Sequence, residues 1–147
     1  MSLAYAASPD AETWRRKLAD ANPHVQRHAK MMLDVIARDG RTLAAEPAPQ
    51  HVLRLGDLSL VALSGEVVVD YALAIKRKYG GGTWVAGYTD TVFGYVPSGR
   101  VLREGGYEGG DAMLYFGRPG PFVDTVEDTV MKGVDALMAA TGAKAEA

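Results

Sequence analysis

The chain has no cysteine, which excludes disulfides and thiolate metal sites. It has three histidines in 147 residues, His24, His28 and His51. No apolar run approaches the roughly 18 residues that would span a bilayer. No Lys/Arg-rich block is present, and the formal net charge is -2, so nothing in the charge pattern favours nucleic acid as a partner. Residues 1–5 lack a basic region followed by a long apolar one, so they do not read as a signal peptide. Residues 1–9 read instead as an appended leader. What remains is a length and an apolar fraction, 48%, suited to one soluble domain with one core.

Two helices open the domain. Asp10-Ala11-Glu12 starts the first, with Trp14, Leu18 and Ala21 at helical spacing. Asn22 caps the second and Pro23 takes its first position. Val25, Ala29, Met32, Leu33 and Ile36 form its apolar stripe, and Asp39-Gly40 ends it. His24 and His28 share a face of this helix at metal-ligand spacing; the alternative is a polar face with Gln26, Arg27 and Lys30. No acid lies between the two histidines to serve as a zincin base.

After a Pro-containing connector over 44–50, His51–Leu55 alternates, Gly56-Asp57 turns, and Leu58–Leu63 is more continuously apolar: a β-hairpin with the second strand the more buried. Ser64-Gly65-Glu66 follows, then a helix running to Lys76-Arg77-Lys78, a glycine stop at 80–82, and a strand over 83–86. This is a βαβ pattern with Glu66 at the helix N-terminus, beyond a strand end. There the carboxylate is either a helix cap or a chemical group. Residues 113–116 read as a short strand. A last helix opens over 123–130 and carries Val126, Val130, Val134, Leu137 and Met138 on one side; residues 141–147 read as a frayed tail. The expected fold is α/β: a mixed sheet packed by helices, starting with a helical hairpin over 10–40 and an α/β core over 50–138.

The segment Gly87–Asp111 is the densest in glycine and tyrosine. Tyr88 and Tyr95 flank Asp90 and Thr91 in it, and Tyr107-Glu108 closes it. Tyrosines in such a loop pack and hydrogen-bond, or more rarely serve as phenolate ligands. Neither glycine cluster has the context of a phosphate loop, and Ser64 and Ser98 have no evident histidine base.

Taken together, Ser64-Gly65-Glu66, Trp84-Val85-Ala86-Gly87-Tyr88, Gly94-Tyr95-Val96-Pro97 and Glu104-Gly105-Gly106-Tyr107-Glu108-Gly109 resemble the neutral/alkaline ceramidase family, in its bacterial ceramidase-like branch. The likeness covers about residues 50–137, with the Asn-Pro helix at Asn22 added. It implies a zinc-dependent amide hydrolase in which Glu66 and Tyr95 are metal ligands. Asp90, Tyr88, Tyr107 and Glu108 would be neighbours one layer out. The family's two zinc histidines and its serine have no counterpart here, so the resemblance implies the C-terminal part of a catalytic domain, inactive alone, with no complete catalytic set. Asp90 stands where the family has asparagine, and the helix after Glu66 is short, which puts ceramide itself in doubt as substrate. The implied partners are the rest of the parent domain, a lipid-like or N-acyl amide substrate and a second copy across an exposed cut surface. An exported parent is implied too. The competing expectation is a non-catalytic module that binds a partner or small polar ligand.

Overall fold

The computed structural model describes residues 1–145. In chain order it contains β1 (Ser2–Ala4), α1 (Ala11–Lys17), α2 (Pro23–Asp39), β2 (Ala45–Pro47), β3 (Gln50–Leu55), β4 (Leu58–Ser64) and β5 (Glu66–Val67). Then come α3 (Val69–Tyr79), β6 (Thr83–Thr89), β7 (Tyr95–Val96), α4 (Gly99–Glu104), a π-turn over Tyr107–Asp111, α5 (Met113–Phe116) and α6 (Val126–Ala140). The fold is α/β with a mixed sheet. Strands β3 and β4 pair antiparallel and β4 and β6 pair parallel, giving the order β3-β4-β6. Two smaller pairs flank this sheet, β1-β2 antiparallel and β5-β7 parallel.

The period-2 pattern of β4 sends Ser59, Val61 and Leu63 into the core, where they meet Tyr71 and Ile75 of α3 and Val126, Val130, Val134 and Met138 of α6. Fully burying one such aliphatic side chain contributes about 1.5–3 kcal/mol. The opposite face of the same sheet is uncovered. Across its register lie the rows Leu53–Leu60–Trp84 and His51–Ala62–Ala86, with Leu53 and Trp84 more than half exposed.

The helical hairpin has its own small cluster of Trp14, Ala29 and Met32, apart from the main core. Its ends follow local chemistry. The Asp10 carboxylate accepts the Thr13 N–H at 2.7 Å, and Asn22 Oδ1 accepts the His24 N–H at 2.9 Å. Gly40, at φ 76, closes α2. Helix α1 stops at Lys17, so Leu18 lies outside it, 43% exposed.

Several expectations are corrected. Residues 2–5 of the expected leader pack on the domain: β1 pairs with β2, Leu3 and Tyr5 are buried, and the Tyr5 ring stacks on Phe122 at 4.7 Å. The connector over 44–50 contains β2 for the same reason. Residues 113–116 form a helix, because no strand lies beside them and the Phe116 N–H turns back to the Ala112 carbonyl. The helix after Glu66 begins only at Val69, with Val68 as a cap residue lacking any side-chain bond. Glu66 is therefore not a helix cap. Its N–H is committed to the Gly94 carbonyl, 2.9 Å away, which keeps the β-branched run extended. The tail is tied down at its start, where Thr141 Oγ1 donates to the Met138 carbonyl and Ala143 packs on the core. Residues 146–147 of that expected tail lie outside the described residues.

Candidate functional site

Strand β4 ends at a corner that brings the two sequence candidates together. Gly65 has φ +79, and a Cβ there would stand 2.8 Å from Val96 Cγ2 and 2.9 Å from Phe93 Cζ. Only glycine fits this left-handed, crowded position. Beyond it the chain enters β5, which pairs in parallel with β7 in the register Glu66↔Tyr95. The carboxylate and the phenol are thus direct neighbours on one face of a two-stranded ribbon.

The far side of β7 is pinned. The Tyr71 hydroxyl donates to the Pro97 carbonyl at 2.8 Å, Ser98 caps α4, and the Gly99 N–H donates to Glu127 at 2.7 Å. Tyr95 accordingly projects from a rigid base.

Strand β6 supplies a third group. Its register with β4 slips after Ala62↔Ala86, the next pair being Ser64↔Thr89, so β6 carries one extra residue in a β-bulge. Tyr88 in this bulge has φ 59, and Asp90 just beyond has φ 56. Positive φ at a bulky tyrosine is strained and persists only where the surroundings impose it. Here the Tyr88 N–H bonds the Gly65 carbonyl at 2.9 Å, and its hydroxyl donates to Glu66 Oε1 at 2.5 Å. The bulge aims the phenol at the carboxylate.

The electrostatics of this corner run one way. Hydrogen bonding to Glu66 pushes the Tyr95 phenol up to about 12, with desolvation and the charge of Glu66 adding to the shift. The same carboxylate raises Tyr88, and Glu108 adds to it. No cation lowers either phenol, and among the described residues no Lys, Arg or His forms an ion pair with Glu66. The aromatic wall continues outward. Tyr95 meets Tyr107 edge-on at 5.5 Å, Tyr107 meets Tyr115 at 6.0 Å, and Tyr115 meets His24 at 5.2 Å between ring centroids.

Glu66, Tyr88, Tyr95 and Tyr107 are therefore gathered, with Glu108 close enough to act on Tyr88. Asp90 is placed differently. Its carboxylate takes the His51 imidazole Nε2 at 3.1 and 3.2 Å, pairing the start of β3 with the end of β6. The two helix histidines share nothing. His28 is buried, edge-on to Trp14, with Nε2 donating to the Arg118 carbonyl at 2.7 Å, and burial pushes its imidazole down. This corrects the expectation of a uniformly polar helix face. His24 is exposed. Ser64 donates to the Pro49 carbonyl at 2.6 Å and Ser98 to Asp70 at 2.5 Å, so both hydroxyls are engaged structurally.

Comparison with protein-family models, with curated proteins and with solved structures finds no match.

Zinc, the metal implied by the family resemblance, finds part of a donor set here. A carboxylate and a phenol are hard oxygen donors of the right kind and adjacent. Among the described residues, however, no three His, Cys, Asp or Glu side chains gather into a group that could hold a metal ion. Catalytic zinc takes three protein ligands, so this corner alone falls short. Sequence reasoning missed Tyr115 and the His51–Asp90 pair. Nothing in their spacing marks them, since each comes into place through a fold contact far along the chain.

Proposed function

We propose that the chain contributes the carboxylate–phenol part of a zinc-dependent amide hydrolase resembling the neutral ceramidases. The remaining ligands would come from another stretch of polypeptide. The observation that carries this reading is the direct Glu66↔Tyr95 pairing on the β5-β7 ribbon, next to a strained tyrosine bonded to the same carboxylate. Zinc bound there would polarise an amide carbonyl and bring a bound water to hydroxide near neutral pH. Glu66 and Tyr95 would hold, Tyr88 would orient the carboxylate, and Tyr107 would wall the site. The substrate class is an N-acyl amide, lipid-like in the family the sequence resembles.

Zinc titration of the isolated chain, alongside a fluorogenic N-acyl amide assay, tests this. We expect weak zinc binding that strengthens with rising pH, as the phenol must lose its proton, and no turnover. Glu66→Gln and Tyr95→Phe should each remove the binding. Zinc affinity indifferent to both variants, or tight stoichiometric zinc with amidase turnover in the chain alone, would refute the proposal.

The uncovered sheet face favours a second reading, a non-catalytic module that docks a partner or a second copy through Leu53, Leu60 and Trp84. Trp84→Lys separates the two. Loss of association with zinc binding intact supports docking by this face.

A further inference from the structure

A groove of about 670 Å³ runs between the helical hairpin and the segment from the π-turn to Pro121. That is within the range of small-molecule sites, roughly 300–1,000 Å³. Its walls are mostly apolar, with Trp14 and Val25 from the hairpin and Met113 below. Tyr107 and Tyr115 form an aromatic side, both about half exposed, and Asp111 stands beside them. Among the described residues Asp111 has neither a hydrogen bond nor an ion pair of its side chain. The one lysine of the lining, Lys17, lies at the hairpin wall, its Nζ 4.7 Å over the Trp14 ring, and makes no ion pair with Asp111. Tyr107 also stacks on Tyr95, so this wall backs onto the corner where Glu66 and Glu108 act on the phenols with no compensating cation.

Two tyrosine rings, an unpaired carboxylate and a concave apolar floor make a recognisable chemistry. Aromatic faces attract cations through their quadrupole, and a carboxylate supplies the counter-charge. We propose that this groove binds a small organic cation, a primary or quaternary ammonium, with Asp111 as counter-ion and Tyr107 and Tyr115 as its aromatic wall. The ammonium substituents would lie on Met113 and Val25. This binding needs neither zinc nor Glu66 as a ligand, so it stands or falls apart from the amidase reading.

Choline and its uncharged isostere 3,3-dimethylbutan-1-ol provide the test, titrated into the ¹⁵N-labelled chain and followed by amide shifts. The expected result is saturable choline binding at the groove, favoured over the isostere by roughly tenfold, the scale of a partly desolvated cation–π and ion-pair contact. Asp111→Asn should remove that preference, and Tyr107→Leu and Tyr115→Leu should each weaken binding. All three positions are exposed, so folding is not at risk. Zinc titrations of the same variants separate the two sites, because Asp111→Asn should leave zinc binding unchanged. No saturable choline shift, equal binding of the isostere, or indifference to Asp111→Asn and Tyr107→Leu would each overturn the proposal.

Discussion

Two carboxylates on neighbouring parts of the βαβ unit each accept a hydroxyl at 2.5 Å, and they are used in opposite ways. Asp70, in the first turn of α3, takes the Ser98 hydroxyl and a two-pronged contact from Arg100 at 3.0 and 3.1 Å. Those hydrogen bonds hold its carboxyl below the usual carboxylate range. Every group there is answered, and the result is a clamp between α3 and α4. Glu66 takes the Tyr88 hydroxyl, faces Tyr95, and has no cation. Tyr88, bonded through its N–H to the preceding Gly65, is held in a left-handed conformation that such residues avoid. A satisfied charge with relaxed backbone builds structure. A charge answered by phenols without a cation, beside strained backbone, is the pattern that clusters at functional sites in proteins generally.

The largest effect that would sharpen this contrast is at Gly65, on which the whole corner turns. Gly65→Ala should destabilise the chain by about 2–4 kcal/mol in urea unfolding, from left-handed strain plus overpacking against Val96 and Phe93. A loss under half a kcal/mol would show that the corner relaxes and that Glu66 is not rigidly placed. Next in size is the clamp. Ser98→Ala removes a buried cap and should cost about 1–2 kcal/mol, whereas Tyr88→Phe, which removes the equivalent hydroxyl from Glu66, should leave the urea midpoint unmoved. Equal costs would break the comparison.

The acid limb of stability comes third. A carboxyl whose folded value lies below its unfolded one stabilises above the unfolded value, about 4, and loses that contribution as pH falls through the lower folded value. Asp70→Asn should flatten the stability profile below about pH 4; an unchanged acid limb would mean that the Arg100 and Ser98 bonds do not hold Asp70 as a charged clamp. The smallest signal is spectroscopic. Tyr95 ionisation, read by phenolate absorbance against a Tyr95→Phe control, should occur near pH 12 in the metal-free chain and move down in Glu66→Gln. An unchanged titration in that variant would mean that the carboxylate and the phenol do not communicate.

Much of the architecture was legible because it is written in local periodicity. The alternation of β3, the continuous run of β4 and the glycine stop at 80–82 gave the hairpin and the βαβ unit. Asn22-Pro23 and Gly40 marked α2 at both ends. What escaped were features decided by distant contacts. Met113–Phe116 is apolar enough for a strand, but its N–H groups turn back to the Ala112 carbonyl and it packs on α2 as a helix. His28 lies on an outwardly polar stretch of α2, yet the Arg118 carbonyl draws it inside. The bulge that turns Tyr88 toward Glu66 could not be foreseen, because left-handed backbone is normally announced by glycine or asparagine and here falls on tyrosine. The pairing of Glu66 with Tyr95 was reached through resemblance, and their adjacency rests on register, which a sequence does not print.

The stacking of Tyr5 on Phe122, with the backbone bridge between them, joins opposite ends of the chain. A contact of such sequence separation forms late, since the entropy of closing the intervening loop must be met first. Leu3 and Tyr5 can meet β2 early, but they reach their final packing only once the segment carrying Phe122 is in place.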